Sequence, residues 1–239
     1  MKIAAVIPSR FHSSRFPGKP LARIAGRTMI ERVYRQVAEA GCFADIIVAT
    51  DDRRIFDAVT AFGGKAEMTD NNIKSGTDRV WAVMENRDFS AAVNIQGDEP
   101  LIPTELVRDV ALALAKEGEA VVSAARHSGS YDDFYSRNVV KVVCDKRDRA
   151  MFFSRAPIPY AEKSSFDGFW QHIGIYGYSR EALRLFIGNG PSELEQRENL
   201  EQLRFLFLGQ PIHIIRTDFV SHGVDVPEDI EKIEKLLGG

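Results

Sequence analysis

Through the first half of the chain, short runs rich in Val and Ile alternate with stretches whose apolar residues recur every three or four positions. That alternation dictates βαβ units around a parallel sheet, because strands buried on both faces read as apolar runs and their crossovers are helical. Ile3 to Pro8 is the first strand. Ile30, Val33, Val37 and Ala40 form a helical stripe that stops at Gly41, and Ile46 to Thr50 forms a second strand. Asp51 or Asp52 can cap a helix running to about Phe62. A weak strand from Ala66 to Thr69, a polar loop from Asp70 to Ser75, a helix from Thr77 to Glu85 and a strand from Ala91 to Ile95 follow. A helix from Thr104 to Lys116 then leads to a strand from Ala120 to Ala125.

The pattern changes beyond that point. Val139 to Cys144 and Met151 to Ser154 flank the turn-like Asp145 to Asp148, which predicts an antiparallel hairpin. A loop from Ala161 to Gly168, a strand from His172 to Tyr178, and helices over Arg180 to Phe186 and Leu194 to Leu206 come next. Ile212 to Thr217 reads as a late strand, and Pro227 opens a C-terminal amphipathic helix. The expected class is α/β: a mostly parallel central sheet flanked by helices, one domain over 1–239 with an antiparallel insertion around 130–180.

Composition narrows the function classes. The 239 residues carry 31 Lys+Arg against 34 Asp+Glu, a net charge of -3, so no general field attracts nucleic acid and any affinity for phosphate must be local. Cys42 and Cys144 form no C-x-x-C pair, which argues against a disulfide framework or zinc site and fits a reducing cytoplasm. No apolar run approaches the roughly 18 residues of a membrane span.

The strongest motif is the loop Pro8 to Leu21. Arg10, Arg15 and Lys19 place three cations there without an acid among them, while Pro17 and Pro20 stiffen the chain and Gly18 permits close backbone approach. It begins where a buried parallel strand ends, the position at which open α/β sheets bind ligands. This is the composition of a polyphosphate cradle, against the plainer alternative of a solvated basic loop. It is no Walker loop, since Ser13 stands for the first glycine and Pro20 for the hydroxyl residue after the lysine. The second motif, Asn94 to Pro100, delivers Asp98 and Glu99 from a strand end through Gly97. Asp98 suits a hard cation beside phosphates, or simply a turn. Asp225, in Gly223 to Asp229, can share that ion or cap the following helix. Ser75 to Arg79 reads as a helix cap whose arginine suits a ribose or phosphate. Cations and carboxylates at strand ends, with no covalent nucleophile motif, point to metal-assisted nucleotidyl transfer.

These segments, together with Val48 to Asp52, Phe153 to Pro159, His172 to Tyr176 and Leu200 to Arg204, resemble the 3-deoxy-manno-octulosonate (Kdo) cytidylyltransferases in order from end to end. The resemblance implies a nucleotide-diphospho-sugar transferase fold, Rossmann-like, with CTP and Mg²⁺ as requirements, a homodimer, and a role in lipopolysaccharide biosynthesis. By that similarity Arg10, Arg15 and Lys19 act on the CTP triphosphate, with Asp98 the fourth catalytic group. Pro8, Ser9, Ser75, Arg79 and Gln96 join Arg10 and Lys19 around the nucleotide. Asp98 and Asp225 hold magnesium. Arg155, His172, Tyr176, Glu201 and Gln202 form the acid-sugar pocket, Arg155 as a fork for a carboxylate. Read without the resemblance, His172 and Tyr176 are core or edge residues and Glu201 and Gln202 helix surface. Asp78 stands where many relatives carry Glu, Ser179 replaces a frequent Arg, and the segment from Ala161 to Gln171 is short.

The implied reaction is transfer of CMP from CTP to the anomeric hydroxyl of Kdo, giving CMP-Kdo and pyrophosphate. The alternatives are the 8-amino analogue of Kdo, another acid sugar such as sialic acid, or a catalytically silent nucleotide-binding module.

Overall fold

The computed structural model describes residues 1–13, 15–73, 75–117 and 120–238. Ser14 of the basic loop and Lys74 of the polar loop lie outside the described residues. In chain order the elements are β1 (Ile3–Ser9), β2 (Arg23–Ile24), β3 (Arg27–Thr28), α1 (Met29–Glu39), β4 (Asp45–Thr50), α2 (Arg53–Ala61) and β5 (Lys65–Met68). Next come α3 (Gly76–Met84), β6 (Ala91–Asn94), α4 (Thr104–Glu117), β7 (Val121–Ser128) and α5 (Tyr131–Tyr135). The chain finishes with β8 (Lys141–Cys144), β9 (Ala150–Ser154), β10 (Phe169–Ser179), α6 (Arg180–Ile187), α7 (Glu193–Glu198), α8 (Leu203–Phe207), β11 (Ile212–Arg216) and α9 (Asp229–Gly238).

The main sheet runs β11-β7-β10-β6-β1-β4-β5. Alternation along β1 explains its three layers. Ile3, Ala5 and Ile7 enter one core with α1, α2 and α4, whereas Ala4 and Val6 enter another with Val80 and Val83 of α3, Leu183 of α6 and Phe205 of α8. β4 and β6 both pair with β1 in parallel, so the strand ends at Ser9, Thr50 and Asn94 share one rim.

The mostly parallel sheet holds, with one rearrangement. β10 is antiparallel and lies inside the sheet, between β6 and β7, so the strand expected at the end of an insertion is a central strand. Because it runs against β6, its first half from Phe169 rises past the rim where β6 ends, and the β8–β9 hairpin hangs from it through Gln171 and Lys141. Local periodicity carries no information on which distant strand a strand will neighbour.

Three further differences have local causes. The expected single helix over Leu194 to Leu206 is two, because Asn199 adopts a left-handed conformation at φ 53° and ends α7. Pro227 precedes the last helix instead of opening it. The Asp229 carboxylate accepts the Asp225 and Val226 N–H groups and so gathers the turn before α9. The short α5 went unread, since its five residues offer too little periodicity; its Ser130 cap accepts the Asp133 N–H.

Candidate active site

The basic loop leaves β1 at Ser9 and turns back on itself. Gly18 sits at φ +73°, and a Cβ there would approach the Phe11 ring to 3.1 Å, so the turn that presents Lys19 requires glycine. Lys19 Nζ donates to Asp98 Oδ2 at 2.6 Å and to the Val224 carbonyl at 2.8 Å, and lies 3.9 Å from Asp225 Oδ1. Arg15 meets the same Asp225 through two hydrogen bonds of 2.9 and 3.1 Å. Two acids 127 positions apart, as their residue numbers give, thus converge on one ammonium group. The Val224 N–H donates to the Asp98 carbonyl at 3.0 Å, joining the two loops through their backbones.

Asp225 does not cap α9; its carboxylate faces the basic loop, where Arg15 pairs with it. Glu99, next to Asp98, turns inward and accepts the Ser221 hydroxyl. Burial pushes its carboxyl up to about 7.

A cavity of about 400 Å³ opens beside this cluster, lined by Pro8, Ser9, Arg10, Lys19, Ser75, Arg79, Gln96 and Asp98 among others. The seven residues that the resemblance places around the nucleotide line it, whereas Arg15, expected on the triphosphate, does not. Arg79 is 1% exposed, and its guanidinium pairs with Asp51 at 3.0 Å and with the Thr69 hydroxyl. Arg10 reaches the Ile73 carbonyl and lies 4.0 Å from the same Asp51. Asp51 therefore holds two cations at the cavity edge, while Asp52 caps α2 by accepting the Arg54 N–H. Burial lowers the Arg79 pKa from its ordinary value, with Asp51 opposing it. Ser75 uses its hydroxyl to cap α3, accepting the Asp78 N–H at 2.9 Å. Gly97 sits where the loop crosses β1; a Cβ there would lie 3.0 Å from the Pro8 carbonyl oxygen.

A second cavity of about 210 Å³ adjoins the first, and Gly76 and Gln96 line both. Its remaining wall is Thr77, Asn94, Tyr176, Tyr178, Asn199, Leu200, Glu201 and Gln202. Glu201 and Gln202 reach it because the break at Asn199 turns Leu200 to Gln202 out of helical register. Three polar atoms on the two walls are buried without a partner among the described residues: Ser9 Oγ, Asn94 Oδ1 and Gln202 Nε2. Each such group costs about 1–3 kcal/mol unless water or another molecule completes it.

Of the residues that the resemblance assigns to the acid sugar, Tyr176, Glu201 and Gln202 line this second cavity, and His172 and Arg155 do not. His172 lies one step behind, its ring 5.4 Å from Tyr176 and 5.0 Å from Phe153. The two share a face despite the bulge between Ile173 and Tyr176, because the two extra residues preserve the side-chain alternation. Arg155 directs its guanidinium to the carbonyls of Glu198 and Asn199, where the end of α7 offers acceptors, and to that of Arg137. These three bonds use one donor on each nitrogen and leave one N–H on each terminal nitrogen.

Burial lowers the His172 pKa to about 3. The neutral ring bonds the Ser123 hydroxyl at 2.9 Å, and Ser123 donates to the Ile175 carbonyl at 2.8 Å. A histidine that protonates near 6.5 when unfolded and near 3 when folded contributes stability above pH 6.5 that is lost as pH falls toward 3. Acid melting of His172→Phe should therefore fall less steeply than that of the parent below pH 6.5, by up to about 1.4 kcal/mol per pH unit. Parallel curves would place His172 in water.

A family model described as cytidylyltransferase matches residues 4–214. A 3-deoxy-manno-octulosonate cytidylyltransferase of Syntrophotalea carbinolica is 45% identical, with all of both chains covered, and that of Photobacterium profundum is 44% identical with the same coverage. The chain belongs to the 3-deoxy-manno-octulosonate cytidylyltransferase family. A solved CMP:2-keto-3-deoxy-manno-octonic acid synthetase complexed with CTP superposes with a TM-score of 0.95 at 38% identity, covering 100% of this chain and 99% of the other. A 4-diphosphocytidyl-2C-methyl-D-erythritol synthase from Anaerococcus prevotii, at 14% identity and a TM-score of 0.66, shares the fold alone.

Within this family member, sequence reasoning missed Asp51 as a holder of cations and Thr77, Asn94 and Tyr178 as cavity walls. Thr77 and Asn94 lie inside the motifs Ser75 to Arg79 and Asn94 to Pro100, a usable signal. Tyr178 had none beyond its strand.

Proposed function

We propose that the chain transfers CMP from CTP to the anomeric hydroxyl of Kdo, releasing pyrophosphate and supplying activated sugar for lipopolysaccharide. The observation that carries this reading is the pair of adjoining cavities, one beside the Lys19–Asp98 cluster and one lined by Tyr176, Glu201 and Gln202, which share Gln96 and Gly76. Nucleotide in the first and acid sugar in the second meet at that shared wall. The sugar hydroxyl forms a bond to the α-phosphorus and loses its proton, and the bond from that phosphorus to the β-phosphate bridging oxygen breaks. No covalent enzyme intermediate is needed. Arg15 and Lys19 offset charge on the departing pyrophosphate, while Arg10 and Arg79 hold the nucleotide side.

We assign Mg²⁺ to Asp98 and Asp225. Their hard carboxylate oxygens fit it, and the Lys19 ammonium already marks a place between them where positive charge is favoured. Among the described residues no cluster of three or more His, Cys, Asp or Glu could hold a metal alone, which suits an ion sharing its shell with phosphate and water. When bound, magnesium would neutralise phosphate charge and acidify a coordinated hydroxyl. The reading extends to one cytidylyltransferase unit over 1–239, assembled as a homodimer and working in the cytoplasm. Free Cys42 and Cys144 suit a reducing compartment, and no described helix is long and apolar enough to cross a membrane. Sedimentation of the purified chain at twice the monomer mass tests the dimer.

Incubating the protein with CTP, Mg²⁺ and either Kdo or its 8-amino analogue, then weighing the product, tests the reaction and its acceptor. Absence of a CMP-sugar with any keto-acid sugar, despite tight CTP binding, would favour the silent module. Lys19→Ala should lower kcat by about 10²–10³-fold, because its contact strengthens as charge builds on the leaving group. A rise confined to the KM for CTP would reduce Lys19 to a binding group.

A further inference from the structure

Glu201 reaches the second cavity from a link of irregular backbone between two short helices, a mounting that leaves a long side chain many rotamers. Its Oε2 is nevertheless fixed at the first turn of α3, accepting the Thr77 hydroxyl at 2.8 Å and the Thr77 N–H at 3.3 Å. That N–H belongs to a helix start and has no partner within α3, so the carboxylate satisfies it and meets the favourable end of the helix dipole. Thr77 is 2% exposed, and its hydroxyl lies 3.3 Å from the Tyr178 hydroxyl. With Thr77 donating to Glu201, Tyr178 donates to Thr77, giving a chain from Tyr178 through Thr77 to Glu201. Burial holds the Tyr178 phenol well above its ordinary pKa, so its proton stays in place. Tyr178 is itself clamped between the Tyr176 and Phe205 rings, at 5.8 and 5.4 Å.

We propose that Thr77, backed by Tyr178, is a positioning residue for the acid sugar. It pins one oxygen of Glu201 so that the other is presented to the hydroxyls of the bound sugar. The same first turn of α3 carries Ser75 and Gly76 on the nucleotide wall, so one rigid helix start sets the register between the two substrates. The inference rests on the acid-sugar reading of the second cavity.

Steady-state kinetics with CTP, Mg²⁺ and Kdo test it. Thr77→Val should raise the KM for Kdo by about 10–100-fold, the worth of a hydrogen bond to a charged group, with the KM for CTP held within about twofold. Thr77→Ser, which retains the hydroxyl, should recover most of that loss. Tyr178→Phe keeps the ring stack and should show the same split at a few-fold scale, which provides the answer if Thr77→Val does not fold. A KM for CTP that rises in step with that for Kdo, or a serine variant no better than valine, overturns the proposal. If the parent protein makes no CMP-sugar, the reading of the reaction has failed and the inference falls with it. A parent that turns over normally beside an equally normal Thr77→Val overturns the positioning role alone.

Discussion

Asp98→Asn should lower kcat by roughly 10³-fold or more while the protein keeps its melting temperature to within a few degrees. The two halves of that expectation have separate physical grounds. Asp98 pairs with Lys19 near the surface, the side chains being 32% and 14% exposed, and ion pairs of that kind contribute only about 0–1 kcal/mol to folding. Its backbone bond to Val224 survives the substitution. Catalytically the change is severe, since asparagine retains the shape but removes the anionic charge that balances Lys19 and suits a divalent cation. The split between turnover and stability is the diagnostic. Unimpaired turnover at saturating Mg²⁺ would exclude Asp98 from the metal-binding role.

The second large effect concerns stability. Arg204 and Glu195 form a two-pronged ion pair at 2.6 and 2.7 Å, with the residues 5% and 8% exposed. The guanidinium also donates to the Phe186 and Asn189 carbonyls and lies 3.6 Å from the centre of the Phe186 ring. Glu195 additionally closes the capping box of α7 by accepting the Ser192 N–H. Glu195→Ala would leave a buried cation without its counter-charge, at a cost of about 3–5 kcal/mol. For a chain of this size that lowers the melting temperature by roughly 6–20 °C. Replacing both partners, as Glu195→Leu with Arg204→Met, should return much of the loss, because an apolar pair needs no desolvation of charge. A double variant as unstable as the single would show that capping, not the uncompensated charge, dominates. The pair matters to function because it braces α7 against α8, on either side of Leu200 to Gln202.

The residues assigned to the nucleotide were legible because they are local. A cationic loop leaving a buried strand, and a carboxylate delivered through glycine at another strand end, are short motifs whose position on the rim follows from parallel pairing. The wall of the second cavity, assigned to the acid sugar, was legible only through family resemblance, and for a clear reason. Periodicity put Glu201 and Gln202 on the surface of one continuous helix, whereas a single left-handed residue, Asn199, breaks that helix and turns them inward. Arg155 and His172 match the motif yet stand off the second cavity, Arg155 donating to backbone carbonyls and the His172 ring bonding Ser123.

By itself the sequence determined the alternation of strands and helices, the parallel half of the sheet and the chemistry gathered along its rim, because these depend on spacing within about fifteen residues. Tertiary structure decided that β10 runs backwards through the sheet beside β6, that Lys19 bridges Asp98 and Asp225, and that Asp51 and Thr77 serve as supports. Those outcomes turn on which distant groups satisfy one another's charge and hydrogen bonds once water is excluded, a choice that exists only after the chain has closed.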